Sequence, residues 1–141
     1  MKGFLTRSFV DTGLLVIRLG LGVQFILHGY PKIVGGPEVW TRLGGAMSNF
    51  GIDFAPGFWG FMAALAEFGG GILLLPGLLV RPAAILLAFT MLVASTFHLS
   101  NGDPFVQTTS RPLELLVVFV GLVCIGGGRF SLDKRLFGPA R

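Results

Sequence analysis

Charge is scarce in this 141-residue chain: Asp, Glu, Lys and Arg together make up 13% of it, where a soluble domain carries about a quarter. Half of the expected solvating charge is missing, while 52% of the residues are hydrophobic and the mean hydropathy is +0.78. This excludes a soluble globular domain. Cysteine is nearly absent. With Cys124 alone, the chain cannot close an internal disulfide, form a Cys-x-x-Cys couple or ligate an iron–sulfur cluster by itself, so thiol redox chemistry within it is excluded. Basic clusters are also missing. The net charge of +4 comes from Lys and Arg scattered along the chain, mostly at the ends of apolar runs and not grouped on one amphipathic face, which argues against nucleic acid and for anionic lipid headgroups as the partner. The first apolar run is no cleavable signal: it carries Arg18 in its interior, is longer than a signal core and lacks a small-x-small cleavage site.

What the chain has in abundance is apolar sequence long enough to cross a bilayer, in four runs. They cover about 13–34, with Pro31 near the end where a break is tolerated, then about 58–79, about 82–99 behind the Arg81-Pro82 pair, and about 112–128, from Pro112 into Gly126-Gly127-Gly128. The short connections 76–82 and 100–111 force neighbouring helices antiparallel. Between the first two runs, Val39, Trp40, Leu43, Met47 and Phe50 fall on one face, which predicts a helix lying in the membrane interface. The expected fold is all-α: an up-down four-helix transmembrane bundle with an interfacial helix between spans 1 and 2, residues 1–141 forming a single integral membrane domain. Lys2, Arg7, Arg81, Arg129, Lys134, Arg135 and Arg141 fall on the side of the termini, against Lys32, Arg42 and Arg111 on the other, so both termini are expected in the cytoplasm. Ala66 with Gly70, and Ala84 with Ala88, predict close helix packing.

Against this background the polar residues inside the spans stand out, because each costs at least about 2.5 to 3.5 kcal/mol near the bilayer centre. The first span holds Arg18, Gln24, His28 and Lys32, the second Glu67, the third His98 and the fourth Glu114. At about 100° per residue, the four on the first helix fit within one third of its circumference, a stripe expected to face the bundle interior. Counted at about 1.5 Å per residue from the terminal side, His28, Glu67, His98 and Glu114 reach depths of about 18 to 24 Å, and Arg18 about 8 Å. Two imidazoles and two carboxylates from four helices are thus expected in the outer half of the membrane.

Plainer roles stay open. Arg18 can snorkel to the interface or pair with Glu67, Lys32 can anchor the outer end of its helix, and His98 and Glu114 can be wetted at theirs. Glu67 must be protonated, bonded to His28 or His98, or paired with Arg18. A carboxylate and an imidazole in reach of each other make a proton relay of the kind quinone reduction requires, and Phe25, Phe58, Trp59, Phe61, Phe68 and Phe97 offer aromatic walls for a flat ring. Metal and haem are the weaker readings: the sequence has no Glu-x-x-His and no His-x-x-x-His, and nothing beyond the matched depth of His28 and His98 argues for haem.

Arg18-Leu19-Gly20 with Leu21, Gly22, Phe25, His28-Gly29 and Lys32 resembles the opening motif of the DoxX family. Glu67 with Gly70-Gly71, Leu74, Gly77 and Arg81 with Ala83-Ala84, then Met91, His98 and Gly102, is similar to its middle, and the tail from Gly126 to Asp133 to its ending. The resemblance implies a small four-helix protein of the bacterial inner membrane, linked to membrane-associated oxidoreductase complexes or to resistance to quinones and oxidants. It also implies that Arg18, His28, Lys32, Glu67 and His98 are recurring polar positions.

Together these features predict the membrane component of a quinone-linked oxidoreductase system. His28, Glu67 and His98 are the expected catalytic residues, Arg18, Gln24, Lys32 and Glu114 the expected binding residues, and no metal is assigned. Expected partners are the lipid bilayer, a quinone or other small redox molecule, and redox-enzyme subunits. Two other readings stay open: a non-enzymatic anchor or assembly partner of a redox enzyme, and a carrier for a small solute or proton.

Overall fold

The computed structural model describes residues 2–138, with side chains from Arg7 onward. Four long helices dominate: α1 (Lys2–Val34), α3 (Pro56–Leu74), α4 (Val80–Ser100) and α5 (Ser110–Ile125). Helix α2 (Gly36–Gly44) and a 3-10 segment (Gly45–Phe50) join α1 to α3, and a short α6 (Leu132–Leu136) closes the chain. No strand occurs among the described residues, and four segments are long and apolar enough to cross a membrane: Arg7–Val34, Pro56–Leu74, Val80–Ser100 and Phe105–Ile125. The fold is an all-α bundle.

Helix ends follow backbone chemistry more closely than hydropathy. Helix α1 starts at Lys2 rather than near Gly13 and runs through Pro31 to Val34, because hydropathy marks the stretch suited to lipid and not the stretch that is helical. Pro56 opens α3 at a first-turn position where its missing N–H costs nothing. The run expected to continue to Leu79 instead breaks after Leu74, in a turn through Pro76 and Gly77. The fourth span begins earlier than Pro112, because a π-helical turn, Phe105–Thr109, leads directly into α5. It ends at Ile125, ahead of Gly126 with its positive φ.

Glycines set the tightest crossings. A Cβ on Gly29 would lie 2.5 Å from the Phe68 backbone nitrogen, and one on Gly71 would lie 2.8 Å from the Gly22 carbonyl oxygen. Helices α1 and α3 are therefore antiparallel and nearly backbone to backbone. Gly44 and Gly60 do the same for α2 and α3, meeting the backbones of Pro56 and Trp40, so α2 packs lengthwise along the first turns of α3. The pairs anticipated from sequence contact side chains instead: Gly70 faces Leu87, and Ala84 is buried in the core. That core joins Leu14, Phe25, Leu74, Val80, Ala84, Leu87, Met91, Phe119 and Leu122, with Phe25 of α1 and Phe119 of α5 edge to face at 5.1 Å.

Candidate functional site

The α1–α3 crossing puts Lys32 against Glu67. The ammonium donates to both carboxylate oxygens, at 2.6 and 2.9 Å. Glu67 is 4% exposed, whereas the Lys32 side chain keeps 32%. Glu67 is therefore satisfied by Lys32, not by Arg18, His28 or His98 as the sequence suggested. Lys32 also does not sit at the rim of the bundle. Helix α1 stops two residues further on, while α3 continues past Glu67 to Pro56, about 16 Å of helix, with α2 laid along it. The indole of Trp40 donates to the Lys32 carbonyl at 2.9 Å, satisfying one of the carbonyls left open at the end of α1.

The pair borders a groove of about 880 Å³ between α3 and α4, closed above by α2 and the 3-10 segment. Its walls are largely apolar and aromatic, from Met47, Phe58, Trp59, Phe89 and Phe97, with Lys32, Glu67, Arg42, Thr90 and His98 as the main polar groups. Exposed Met62, Leu65, Leu86 and Phe89 belong to the same wall, so the groove opens on the flank of the bundle. The Trp59 ring forms part of the groove wall, while its indole nitrogen is buried with no hydrogen-bond partner. Of the expected aromatic walls, Phe58, Trp59 and Phe97 line the groove, whereas Phe25 is in the core, Phe61 packs on Trp40 and Phe68 on Tyr30.

His98 lines the groove near the last turn of α4, its Nδ1 2.6 Å from Asp103 Oδ2. Asp103 escaped the sequence reading. The only signal was an acid just past the end of the helix, after Gly102, where the turn brings it back onto the ring.

Four expected members of the site, Gln24, His28, Glu114 and Arg18, lie elsewhere. Gln24 and His28 are exposed on the outer face of α1, with His28 Nδ1 on its own Gln24 carbonyl oxygen at 2.8 Å. The reason is the width of the buried arc. Leu14, Arg18, Gly22, Phe25 and Gly29 are buried, and all fall within about 40° of the Arg18 direction, as does Lys32, while His28 and Gln24 stand about 80° and 120° away. The polar stripe therefore does not face inward as a whole. Glu114 is exposed on α5 and is not part of the groove. With His28 and Glu114 outside, neither a two-His, two-carboxylate metal set nor a His28–His98 haem pair is assembled.

Arg18 is fully buried but works at the terminal end of the bundle. Its guanidinium donates to the carbonyls of Leu74 at 3.3 Å and Phe130 at 3.0 Å. The tail folds back over the α3–α4 turn there. Asp133 accepts from the backbone N–H groups of Leu79 at 2.6 Å and Val80 at 2.8 Å, capping the start of α4, and Asp11 accepts from the N–H of Arg129 at 2.9 Å. This latch unites the first and last of the sequence motifs structurally, away from the groove.

Comparison with known proteins agrees with this architecture. The DoxX family profile matches residues 13–99. The chain is similar to "Inner membrane protein YqjF" of Escherichia coli (strain K12), 35% identical over 92% of this chain and 96% of that one. It is also similar to "Putative oxidoreductase CatD" of Bacillus subtilis (strain 168), 28% identical over 94% and 92%. A third relative, "Inner membrane protein YphA" of Escherichia coli (strain K12), is 26% identical over 86% and 89%. No solved structure matches the chain.

Proposed function

This chain belongs to the DoxX family and is a multi-pass inner membrane protein, and from that premise we propose that it is the membrane component of a quinone-linked oxidoreductase system. The observation that carries the reading is the groove between α3 and α4, apolar, open on the flank and bordered by a charged pair. Its volume lies within the range of small-molecule sites. A flat, lipid-soluble ring enters such a groove from the bilayer without crossing water. The Lys32 ammonium, held by Glu67, is the donor for a ring carbonyl oxygen.

Reduction of a quinone consumes two electrons and two protons. Within this reading His98, on the groove wall and held by Asp103, supplies the proton path, because a carboxylate-bound imidazole both accepts and donates. In the same reading a redox cofactor on a partner subunit supplies the electrons. The name of the Bacillus subtilis relative supports the redox link. The termini are assigned to the cytoplasm, where the basic residues of that end belong. Of the residues expected, this reading keeps Glu67, His98 and Lys32 with the aromatic walls Phe58, Trp59 and Phe97, adds Asp103, and leaves out His28, Gln24, Glu114 and Arg18.

Calorimetric titration of the protein in lipid nanodiscs with a short-tailed ubiquinone tests this. The wild type is expected to bind saturably, and Glu67→Gln and His98→Ala to bind at least tenfold more weakly with unchanged helical content. No saturable binding by the wild type overturns the proposal.

A further inference from the structure

The groove absorbs Lys32, Glu67 and His98, but leaves ionisable side chains on the outside of two membrane-spanning helices. His28 and Gln24 are exposed on α1 and Glu114 on α5. The contact between Phe25 and Phe119 marks a common level on the two helices. From that mark His28 lies about 4.5 Å, and Glu114 about 7.5 Å, toward the end remote from the termini. The same count puts the far end of the fourth span, Phe105, about 21 Å away, and the α5 terminus, Ile125, about 9 Å in the opposite direction. Both side chains therefore lie near the middle of the span, where snorkelling to either interface is out of reach for an imidazole or a carboxylate.

Within the chain these groups find little. The only hydrogen bond of the His28 ring among the described residues is from Nδ1 to the Gln24 carbonyl oxygen, and Glu114 forms no ion pair there. The two are opposite in charge type, differ in level by about 3 Å, and both face out. We propose that a second copy of this chain covers this face: α1 of one protomer packs on α5 of the other, and His28 pairs with Glu114 across the interface. A two-fold axis along the membrane normal forms the contact twice, so both outward carboxylates and both imidazoles are satisfied at once. Close approach is open to both helices. Gly20 lies one turn from Gln24 on the same side of α1, and Gly121 two turns from Glu114 on α5. A methyl group on either would meet nothing within 4 Å, and small residues beside polar ones are what interhelical contacts in lipid use. Gln24 adds an amide one turn from His28.

The test uses the full chain in lipid nanodiscs and in a Cys124→Ser background. Native mass spectrometry is expected to give a dimer. Co-expression of a His28→Cys chain with a differently tagged Glu114→Cys chain is expected to give a disulfide-linked pair carrying both tags. His28→Glu, which sets carboxylate against carboxylate, is expected to shift the protein to monomer with its helical spectrum intact, and His28→Glu/Glu114→His to restore the dimer. A monomeric wild type overturns the proposal, as does a dimer whose protomers do not cross-link through these positions, or a dimer that His28→Glu leaves unchanged. None of these outcomes depends on quinone binding.

Discussion

Replacing Lys32 by Met separates the contribution of the charged pair from that of the packing around it. Removing one partner of a buried ion pair costs about 3–5 kcal/mol, mostly because the other charge is left stranded. Here the two partners are unequal. Glu67 is 4% exposed and its carboxylate has no other hydrogen-bond donor among the described residues, while the Lys32 side chain keeps 32% of its surface along the groove. Lys32→Met therefore strands the more buried charge, and the expected loss is about 3 kcal/mol, the low end of the range because the carboxylate can escape by taking up a proton. Glu67→Met strands an ammonium that can turn toward the groove mouth, at about 2 kcal/mol. The double variant replaces a pair by two apolar side chains of similar length, and its stability is expected within about 1 kcal/mol of the wild type. Steric trapping in bicelles reads all four unfolding free energies at one lipid composition. Equal losses that simply add in the double variant would refute the reasoning, because two residues that share one contact must couple.

Two further outcomes probe the frame around the site. Gly29→Ala drives a methyl to 2.5 Å from the Phe68 nitrogen, a backbone atom that cannot step aside. It is expected to cost about 1–3 kcal/mol, whereas Gly13→Ala, with nothing within 4 Å, leaves stability unchanged or raised in the same unfolding assay. Asp133→Ala removes the acceptor for the Leu79 and Val80 N–H groups at the start of α4. The expected loss is about 1–2 kcal/mol, roughly halved in Asp133→Asn, which keeps one acceptor oxygen, and hydrogen exchange should show it first at Leu79 and Val80.

Composition and apolar run length were enough to read the architecture, because a bilayer imposes them on any chain that crosses it: about twenty apolar residues per helix, and a partner for each polar side chain within it. The same constraint picked out Glu67 and His98, whereas the turn at Pro76-Gly77 and the stop before Gly126 ended the second and fourth helices earlier than hydropathy indicated. What the sequence did not reveal is direction around each helix and level between helices. His28 and Lys32 are one turn apart and differ by only about 40° in direction, yet Lys32 meets Glu67 while His28 faces out. Where that boundary falls depends on which face of α1 glycine lets α3 approach, and on α1 stopping short so that α2 completes the bundle beside α3. These are relations between segments distant in sequence, which take shape only when the helices pack together. The partnership of Arg18 with the tail, and of Asp133 with the start of α4, followed from that packing and from no local pattern.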